Sequence, residues 1–164
     1  MESDTEETRV VGKLEAVWVR PHDGPGIAVV TGVFDILHVG HARFLAAVAE
    51  RGLPLVVGVE DDARVRAWKG PNRPVNPAAE RAELLAALRC VSGVFIVAGP
   101  PEAHGPEDYI DLFAPMRPAA LAHTAGDPHV GGRAAAAALL GAECWEMEMI
   151  PGRSTTRIVN AGLG

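Results

Sequence analysis

Short apolar segments alternate with amphipathic, Ala- and Leu-rich segments along most of the chain. Several short segments are apolar throughout, which is typical of strands buried on both faces of a parallel sheet. The predicted strands are Ile27–Thr31, Leu55–Val59, Val94–Ala98, Ala119–His123 and Cys144–Met149. The predicted helices are Ala42–Arg51, Pro77–Cys90, Pro106–Phe113 and Gly131–Leu140, with a short last helix after Thr156. This alternation predicts an open, doubly wound Rossmann-like α/β sheet, mostly parallel, of about five strands with helices on both faces.

The first 26 residues do not follow this alternation. They have an acidic start and end in the Pro- and Gly-rich loop Pro21–Gly26, and between these the alternating stretch Leu14–Val19 is either a lead-in strand or frayed. We therefore expect residues 1–26 to form a peripheral extension of one domain over residues 27–164. A chain of 164 residues that is 48% hydrophobic suffices for one domain with a substantial core.

Charge and termini limit the possible partners. The formal charge of -6, without a concentrated basic patch, argues against nucleic acid, whereas a few cations in one cleft are enough to hold a small phosphorylated compound. The acidic Met1–Thr8 segment is no signal peptide, and no apolar run reaches the roughly 18 to 20 residues of a membrane helix. We therefore expect a cytoplasmic protein with no membrane partner. Cys90 and Cys144 lack C-x-x-C spacing, so no metal site is expected.

The residues after the first predicted core strand carry the candidate chemistry. They read T-G-V-F-D-I-L-H-V-G-H from Thr31 to His41, at the strand end where a doubly wound sheet binds ligands. The spacing places His38 and His41 on one side of the first turn of a helix, where N–H groups and the helix dipole favour phosphate. Gly40 allows a phosphate to approach the backbone closely. The alternative is that both histidines only cap the helix or satisfy polar groups in a core.

The H-x-G-H run resembles the signature of the cytidylyltransferase-like nucleotidyltransferases. Two further runs support the resemblance. The segment Trp68–Arg81, with W-K-G, R-P-V-N-P and E-R, looks like the region after the second strand in sugar-phosphate members, especially heptose 1-phosphate adenylyltransferases. The G-R-S-T-T run Gly152–Thr156 looks like the family's phosphate-binding turn before the last helix. The three motifs occur in the family's order and cover roughly Ile27–Val159.

The resemblance implies three sets of site residues and a homodimer. The implied catalytic residues are His38, His41 and Lys69. The implied nucleotide-binding residues are Thr31, Gly32, Val33, Phe34, Gly40, Arg81, Gly126, Asp127, Arg153, Ser154, Thr155 and Thr156. The implied acceptor contacts are Asp35, Asp62, Arg73 and His123. Magnesium is the expected cofactor, bridging phosphates mostly through water and phosphate oxygens rather than through a protein metal site.

Simpler interpretations stay open for several of these residues. Lys69 and Arg81 are alternatively ordinary surface charges, Arg73 alternatively orders its Pro-rich loop, and Ser154 is alternatively only a helix N-cap. The Gly126-Asp127 pair is equally explained by an ordinary turn. The run His123–Asp127 stands where sugar-phosphate members often carry Lys-Gly-Gly-Asp, so the identity of the acceptor stays open.

The expected reaction is attack by an acceptor phosphate oxygen on the α-phosphorus of a nucleoside triphosphate, with release of pyrophosphate. Because the second pKa of a phosphate is about 6, no strong general base is needed. The R-P-V-N-P run favours ATP, whereas the substitution at His123 is also compatible with a cytidylyltransferase acting on a polyol phosphate or phosphonate. A non-catalytic nucleotide-binding sensor is the alternative of another class. A dinucleotide-dependent oxidoreductase is rejected because the first turn lacks G-x-G-x-x-G.

Overall fold

The computed structural model describes residues 13–126, 130–148 and 154–162. Six strands form one sheet in the order β1-β4-β3-β2-β5-β6, all parallel except β1. The strands are β1 Glu15–Arg20, β2 Ala28–Gly32, β3 Leu55–Glu60, β4 Gly93–Ala98, β5 Ala120–Thr124 and β6 Glu143–Met147. The helices are α1 Val39–Ala49, α2 Asp62–Lys69, α3 Ala78–Ala86, α4 Pro106–Phe113, α5 Val130–Leu140 and α6 Thr155–Ala161, with a 3₁₀ turn at Ala114–Met116. The predicted Rossmann-like α/β fold is confirmed.

Two elements differ from the predicted set. Of the two alternatives for Leu14–Val19, the strand is correct. This strand, β1, pairs antiparallel with β4 at the edge of the sheet. The described sheet therefore has six strands rather than about five. The domain boundary after Gly26 stays a prediction. Helix α2 is absent from the predicted set because its sequence D-A-R-V-R-A-W-K is mostly polar and buries only Arg64 and Val65.

Strand β2 sets the position of the site. It lies between β3 and β5, where the strand order reverses direction. Open α/β sheets bind ligands in the crevice at this reversal, outside the carboxyl ends of the strands. The residues that follow Gly32 therefore enter the expected binding region.

Each face of the sheet carries its own hydrophobic core. One core joins the sheet to α1 and α3 through residues such as Val30, Leu45 and Leu85. The other joins it to α4 and α5 through residues such as Leu112 and Ala136. None of the described helices is long and apolar enough to cross a membrane.

Gly58, in the middle of β3, provides a test of this packing. A Cβ atom there would lie 2.7 Å from the Phe95 ring and 3.0 Å from Cγ2 of Thr31. Because Phe95 is fully buried, we expect Gly58→Ala to lower the free energy of unfolding by about 1–3 kcal/mol, measured by urea denaturation.

Gly131→Ala is the matched control. A Cβ atom at this position in α5 meets nothing within 4 Å. The control should leave stability unchanged or raise it by up to about 1 kcal/mol. Equal urea midpoints for Gly58→Ala and the unmodified protein would contradict the described packing of β3.

Candidate active site

The loop between β2 and α1, residues 33–38, has an unusual backbone. Phe34 and Ile36 adopt φ values of 49° and 52°, in the left-handed region that bulky residues disfavour. Such a conformation costs of the order of 1–3 kcal/mol per residue and persists only where surrounding contacts hold it. The contacts that hold this loop therefore determine the geometry of the H-x-G-H motif that follows it.

The buried carboxylate of Asp35 provides the first set of contacts. Its Oδ2 accepts hydrogen bonds from the Val75 amide (2.8 Å) and from Nε of Arg73 (3.1 Å), and Oδ1 accepts one from the Asn76 amide (3.0 Å). The structure thus gives Asp35 a different role from the predicted acceptor contact, because its oxygens are directed into the protein. Arg73 orders the Pro-rich loop, which is the alternative that the sequence left open for it.

These contacts also control the charge of Asp35. Burial by itself would raise the pKa of the carboxyl group, but the amides of Val75 and Asn76, together with Arg73, outweigh burial and lower the pKa. The unfolded value is about 3.9. The ionised Asp35 carboxylate therefore makes its full contribution to the free energy of unfolding above about pH 4. This contribution is lost as the pH falls through the lowered pKa.

Arg81 provides the second set of contacts. Its guanidinium is fully buried and donates to the carbonyl oxygens of Val33 (2.6 Å) and Asn76 (2.9 Å) and to Oδ1 of Asp62 (2.8 Å). Asp62 also accepts a hydrogen bond from the Ala78 amide. Arg81 therefore joins the loop, the Pro-rich segment and the start of α2. Its nucleotide-binding role and the acceptor role of Asp62 stay predictions.

His38 and His41 are brought together at the start of α1. His38 is the N-cap residue, and its Nδ1 accepts a hydrogen bond from the Gly40 amide at 3.0 Å. The Nδ1 atom of His41 accepts from the His38 amide at 3.3 Å, and the two rings stack with centroids 3.8 Å apart. The helix-capping interpretation is thus correct, and it is compatible with phosphate binding. Because Nδ1 accepts in each ring, the neutral form carries its proton on Nε2 as a hydrogen-bond donor.

His41 is neutral at physiological pH. Burial, and then the charge of His38, lower its pKa to about 4. The ring of Phe34 contacts it edge-on, with centroids 5.3 Å apart. His41 therefore presents a neutral N–H donor rather than a cation.

The Ser-Thr-Thr motif contacts the same loop. The Thr155 hydroxyl donates a short hydrogen bond to the carbonyl oxygen of Asp35, 120 positions earlier in the chain. Ser154 caps α6, since its Oγ accepts from the Arg157 amide at 3.1 Å, and Thr156 is exposed in the first turn. The structure thus brings residues of all three sequence motifs together around Asp35. The predicted contacts Arg153 and Asp127 lie outside the described residues.

A cleft of about 670 Å³ opens beside the carboxyl end of β2. Thr31, Gly32 and Val33 line it, as does Lys69 from the end of α2. The sequence interpretation assigned no role to six other polar or aromatic lining residues: Glu60, Trp68, His104, Tyr109, Phe113 and Arg133. One available signal was the charge of Glu60 at the end of an otherwise apolar strand.

One wall of the cleft contains a buried polar network. Glu60 accepts hydrogen bonds from Nε of Arg64 and from the Tyr109 hydroxyl, each at 2.7 Å. Arg64 also donates to the carbonyl oxygens of Pro100 (2.7 Å) and Ala103 (3.0 Å) and to Tyr109 (3.1 Å). Burial, and then the charge of Glu60, raise the pKa of Tyr109, so its proton stays in the network. The network fixes this wall, because every group in it has a partner.

His123 and Gly126 lie at the end of β5. His123 is buried, with Nδ1 3.8 Å from Sγ of Cys144. Its Nε2 is the buried side-chain polar atom that lacks a hydrogen-bond partner among the described residues. Gly126 occupies an exposed turn with φ of 79°. His123 is not a lining residue of the cleft, so its acceptor role stays a prediction, as does the nucleotide contact of Gly126.

Comparison with known proteins points to the family that the H-x-G-H motif predicts. Residues 29–100 match the model of the cytidylyltransferase-like family. The chain contains a cytidylyltransferase-like domain. It is 36% identical over 141 residues to the bifunctional protein HldE of Methylobacillus flagellatus, across 84% of this chain and 27% of that protein. For HldE of a Nitratiruptor species the identity is 36% over 136 residues, with 83% and 27% covered.

The chain thus spans about a quarter of the length of these relatives. The crystal structure of the lipopolysaccharide core biosynthesis protein from Thermoplasma volcanium superposes with a TM-score of 0.60 and 22% identity, over 77% of this chain and 98% of that protein. This structural similarity supports the assigned fold of the domain. The family predicted from the H-x-G-H motif is confirmed.

The described part of the cytidylyltransferase-like domain contains no group of three or more His, Cys, Asp or Glu side chains suited to a metal ion. Both oxygens of Asp35 and both of Glu60 are in hydrogen bonds. Magnesium therefore stays a prediction, in which phosphate oxygens and water supply its ligands.

The titration of His41 tests the described environment of the H-x-G-H pair. We expect NMR of the imidazole carbon-bound protons to give a midpoint near pH 4, because burial and His38 oppose protonation. In urea the same residue should titrate near 6.5. Between these pH values the unfolded chain binds a proton that the folded domain does not. The free energy of unfolding should therefore fall as the pH is lowered from about 6.5 to about 4. A folded-state midpoint between 6 and 7 would contradict this arrangement.

Proposed function

We propose that this domain transfers a nucleoside monophosphate from ATP to a small phosphorylated acceptor such as a sugar phosphate, with release of pyrophosphate. The observation that carries the proposal is the stacked pair His38 and His41 at the start of α1. Each ring has its Nδ1 bonded to a backbone amide, so each directs an Nε2–H donor away from the helix cap. Family membership of residues 29–100 supports the same reaction class.

The arrangement suits a reaction in which charge moves onto pyrophosphate. Phosphoryl transfer requires positioning and electrostatic stabilisation more than covalent chemistry. Two imidazole N–H groups beside the positive end of an 11-residue helix stabilise negative charge as the bond to pyrophosphate breaks. Because the pKa of His41 is about 4, its ring keeps one protonation state across the neutral pH range.

The acceptor meets the nucleotide at the end of β2. Gly32 and Val33 line the cleft and continue directly into the loop that carries the histidine pair. Lys69 supplies a positive charge to the cleft. An acceptor phosphate is already largely ionised at neutral pH, so its oxygen attacks the α-phosphorus without a dedicated base.

The likeness to HldE and the resemblance to heptose 1-phosphate adenylyltransferases support ATP over CTP. The R-P-V-N-P run has a structural use here, since the Val75 and Asn76 amides bind Asp35. The preference for ATP therefore rests on similarity rather than on a contact with the base. The homodimer and the cytoplasmic location also stay predictions.

An assay of enzymatic turnover tests the proposed function. The purified protein, magnesium and pyrophosphatase would be incubated with ATP, CTP, GTP or UTP and a panel of sugar phosphates, polyol phosphates and phosphonates. We expect phosphate release with ATP and a sugar phosphate. His41→Ala should lower kcat by about 10²–10³-fold, as removal of a transition-state donor does.

His22→Ala is the control, because His22 lies in the loop after β1 and outside this cleft. Its kcat should stay close to that of the unmodified protein. Thermal unfolding of each variant separates loss of a donor from loss of fold. Tight triphosphate binding without turnover on any acceptor would replace the proposal with a nucleotide sensor.

A further inference from the structure

Helix α2 is short and carries the predicted catalytic residue Lys69 at its last position. It has eight residues, is mostly polar and buries only Arg64 and Val65. Helices of this length are marginal in water, so contacts with the rest of the protein must hold the last turn. Lys69 does not supply such a contact. Its side chain is exposed in the cleft, and its ammonium group forms no hydrogen bond or ion pair within the described part of the chain.

Arg64 anchors the middle of the helix. Its fully buried guanidinium donates to the Glu60 carboxylate, the Tyr109 hydroxyl and the carbonyl oxygens of Pro100 and Ala103. A buried charge pair is costly to desolvate, and apolar residues often replace one without loss of stability. What the guanidinium provides is a fixed geometry, because a planar group with its donors in a rigid fork must meet four acceptors at once. Arg64 thereby fixes α2 against the end of β3, the loop after β4, and α4.

Trp68 extends this anchor to the last turn of the helix. The guanidinium carbon of Arg64 lies 4.6 Å from the centroid of the indole ring. The indole Nε1 donates to the carbonyl oxygen of Pro101 at 3.2 Å, in the same loop that Arg64 binds. A cation over the ring face and a hydrogen bond from the ring nitrogen hold the indole in one orientation. Because Lys69 is the next residue and the last of α2, these contacts also fix the point from which its side chain enters the cleft.

We propose that Arg64 and Trp68 are positioning residues, which hold the last turn of α2 and so keep Lys69 in place in the cleft. This inference rests on the proposed function, in which Lys69 supplies a positive charge, and it gives Trp68 no contact with a substrate. A charge that stabilises a transition state must be held close to its working position, since a displacement of about 1 Å can lower a rate about 10²-fold. Loss of the anchor should therefore lower kcat through Lys69.

Amide hydrogen exchange, followed by mass spectrometry, tests the anchor without turnover. Trp68→Leu removes the indole but keeps a good helix former, and Tyr109→Phe removes a hydroxyl that binds Arg64. We expect each change to speed exchange in the last turn of α2 by about fivefold or more, because a lost hydrogen bond makes local opening easier. Trp68→Phe, which keeps an aromatic ring beside Arg64, should have a smaller effect. The control Leu139→Ala, an exposed change on α5, should have none.

A double-mutant cycle tests whether the anchor acts through Lys69. With an active acceptor, Trp68→Leu should lower kcat about tenfold or more and leave KM for both substrates within about threefold. In a Lys69→Ala background the same change should lower kcat by less than about twofold, because the charge that it displaces is already absent. Trp68→Phe should restore part of kcat. A residue that contacts a substrate, or one that only stabilises the fold, would lower kcat equally in both backgrounds.

The two experiments separate this inference from the proposed function. Arg64 is kept in every variant, because its removal would leave the Glu60 carboxylate buried without its charge partner. Unchanged exchange in Trp68→Leu or in Tyr109→Phe would overturn the inference. Equal losses of kcat in both backgrounds, or an unchanged kcat in Lys69→Ala alone, would overturn it as well. Faster exchange as expected, with no turnover of any acceptor, would instead count against the proposed function and leave the anchor of α2 intact.

Discussion

The buried carboxylate of Asp35 is the constraint on which the candidate site depends. It accepts three hydrogen bonds from residues 73–76, while its own carbonyl oxygen accepts one from Thr155. These contacts lie between Phe34 and Ile36, the two residues in the left-handed region. A loop in that conformation is unfavourable in isolation, so partners far along the chain must hold it. Because the loop leads directly into α1, the same contacts position the histidine pair.

Several side chains of the site have structural roles. In both histidines Nδ1 caps the helix, and Nε2–H is the donor to phosphate in the proposed reaction. Arg81 and Asp62 are engaged in holding the loop and the start of α2, whereas Lys69 and Arg133 line the cleft. Sequence motifs of a phosphate-binding site thus contain two kinds of residue. One kind builds the loop, and the other is proposed to contact the substrates.

Strands and helices were predicted correctly where their apolar residues form a clear periodic pattern. The parallel strands and the helices α1, α4 and α5 were predictable because their apolar residues repeat at strand or helix spacing. Helix α2 was not predictable, since it is short and mostly polar. The position of Trp68 in the cleft wall was missed with it. The role of Asp35 was also unpredictable, because its partners lie 38 to 41 positions away and are mainly backbone amides. Backbone donors leave no residue-type signal in a sequence.

The affinity of Asp35→Asn for ATP tests the central claim most directly. Asparagine has nearly the same shape but cannot accept on its NH₂ group, so one donor in the 73–76 segment would lose its partner. Asp23→Asn, an exposed change in the loop after β1, is the control. We expect calorimetry at neutral pH to give at least about tenfold weaker ATP binding for Asp35→Asn, although both histidines are unchanged. Unchanged ATP affinity in a variant that is correctly folded would contradict the claim that Asp35 positions the nucleotide site.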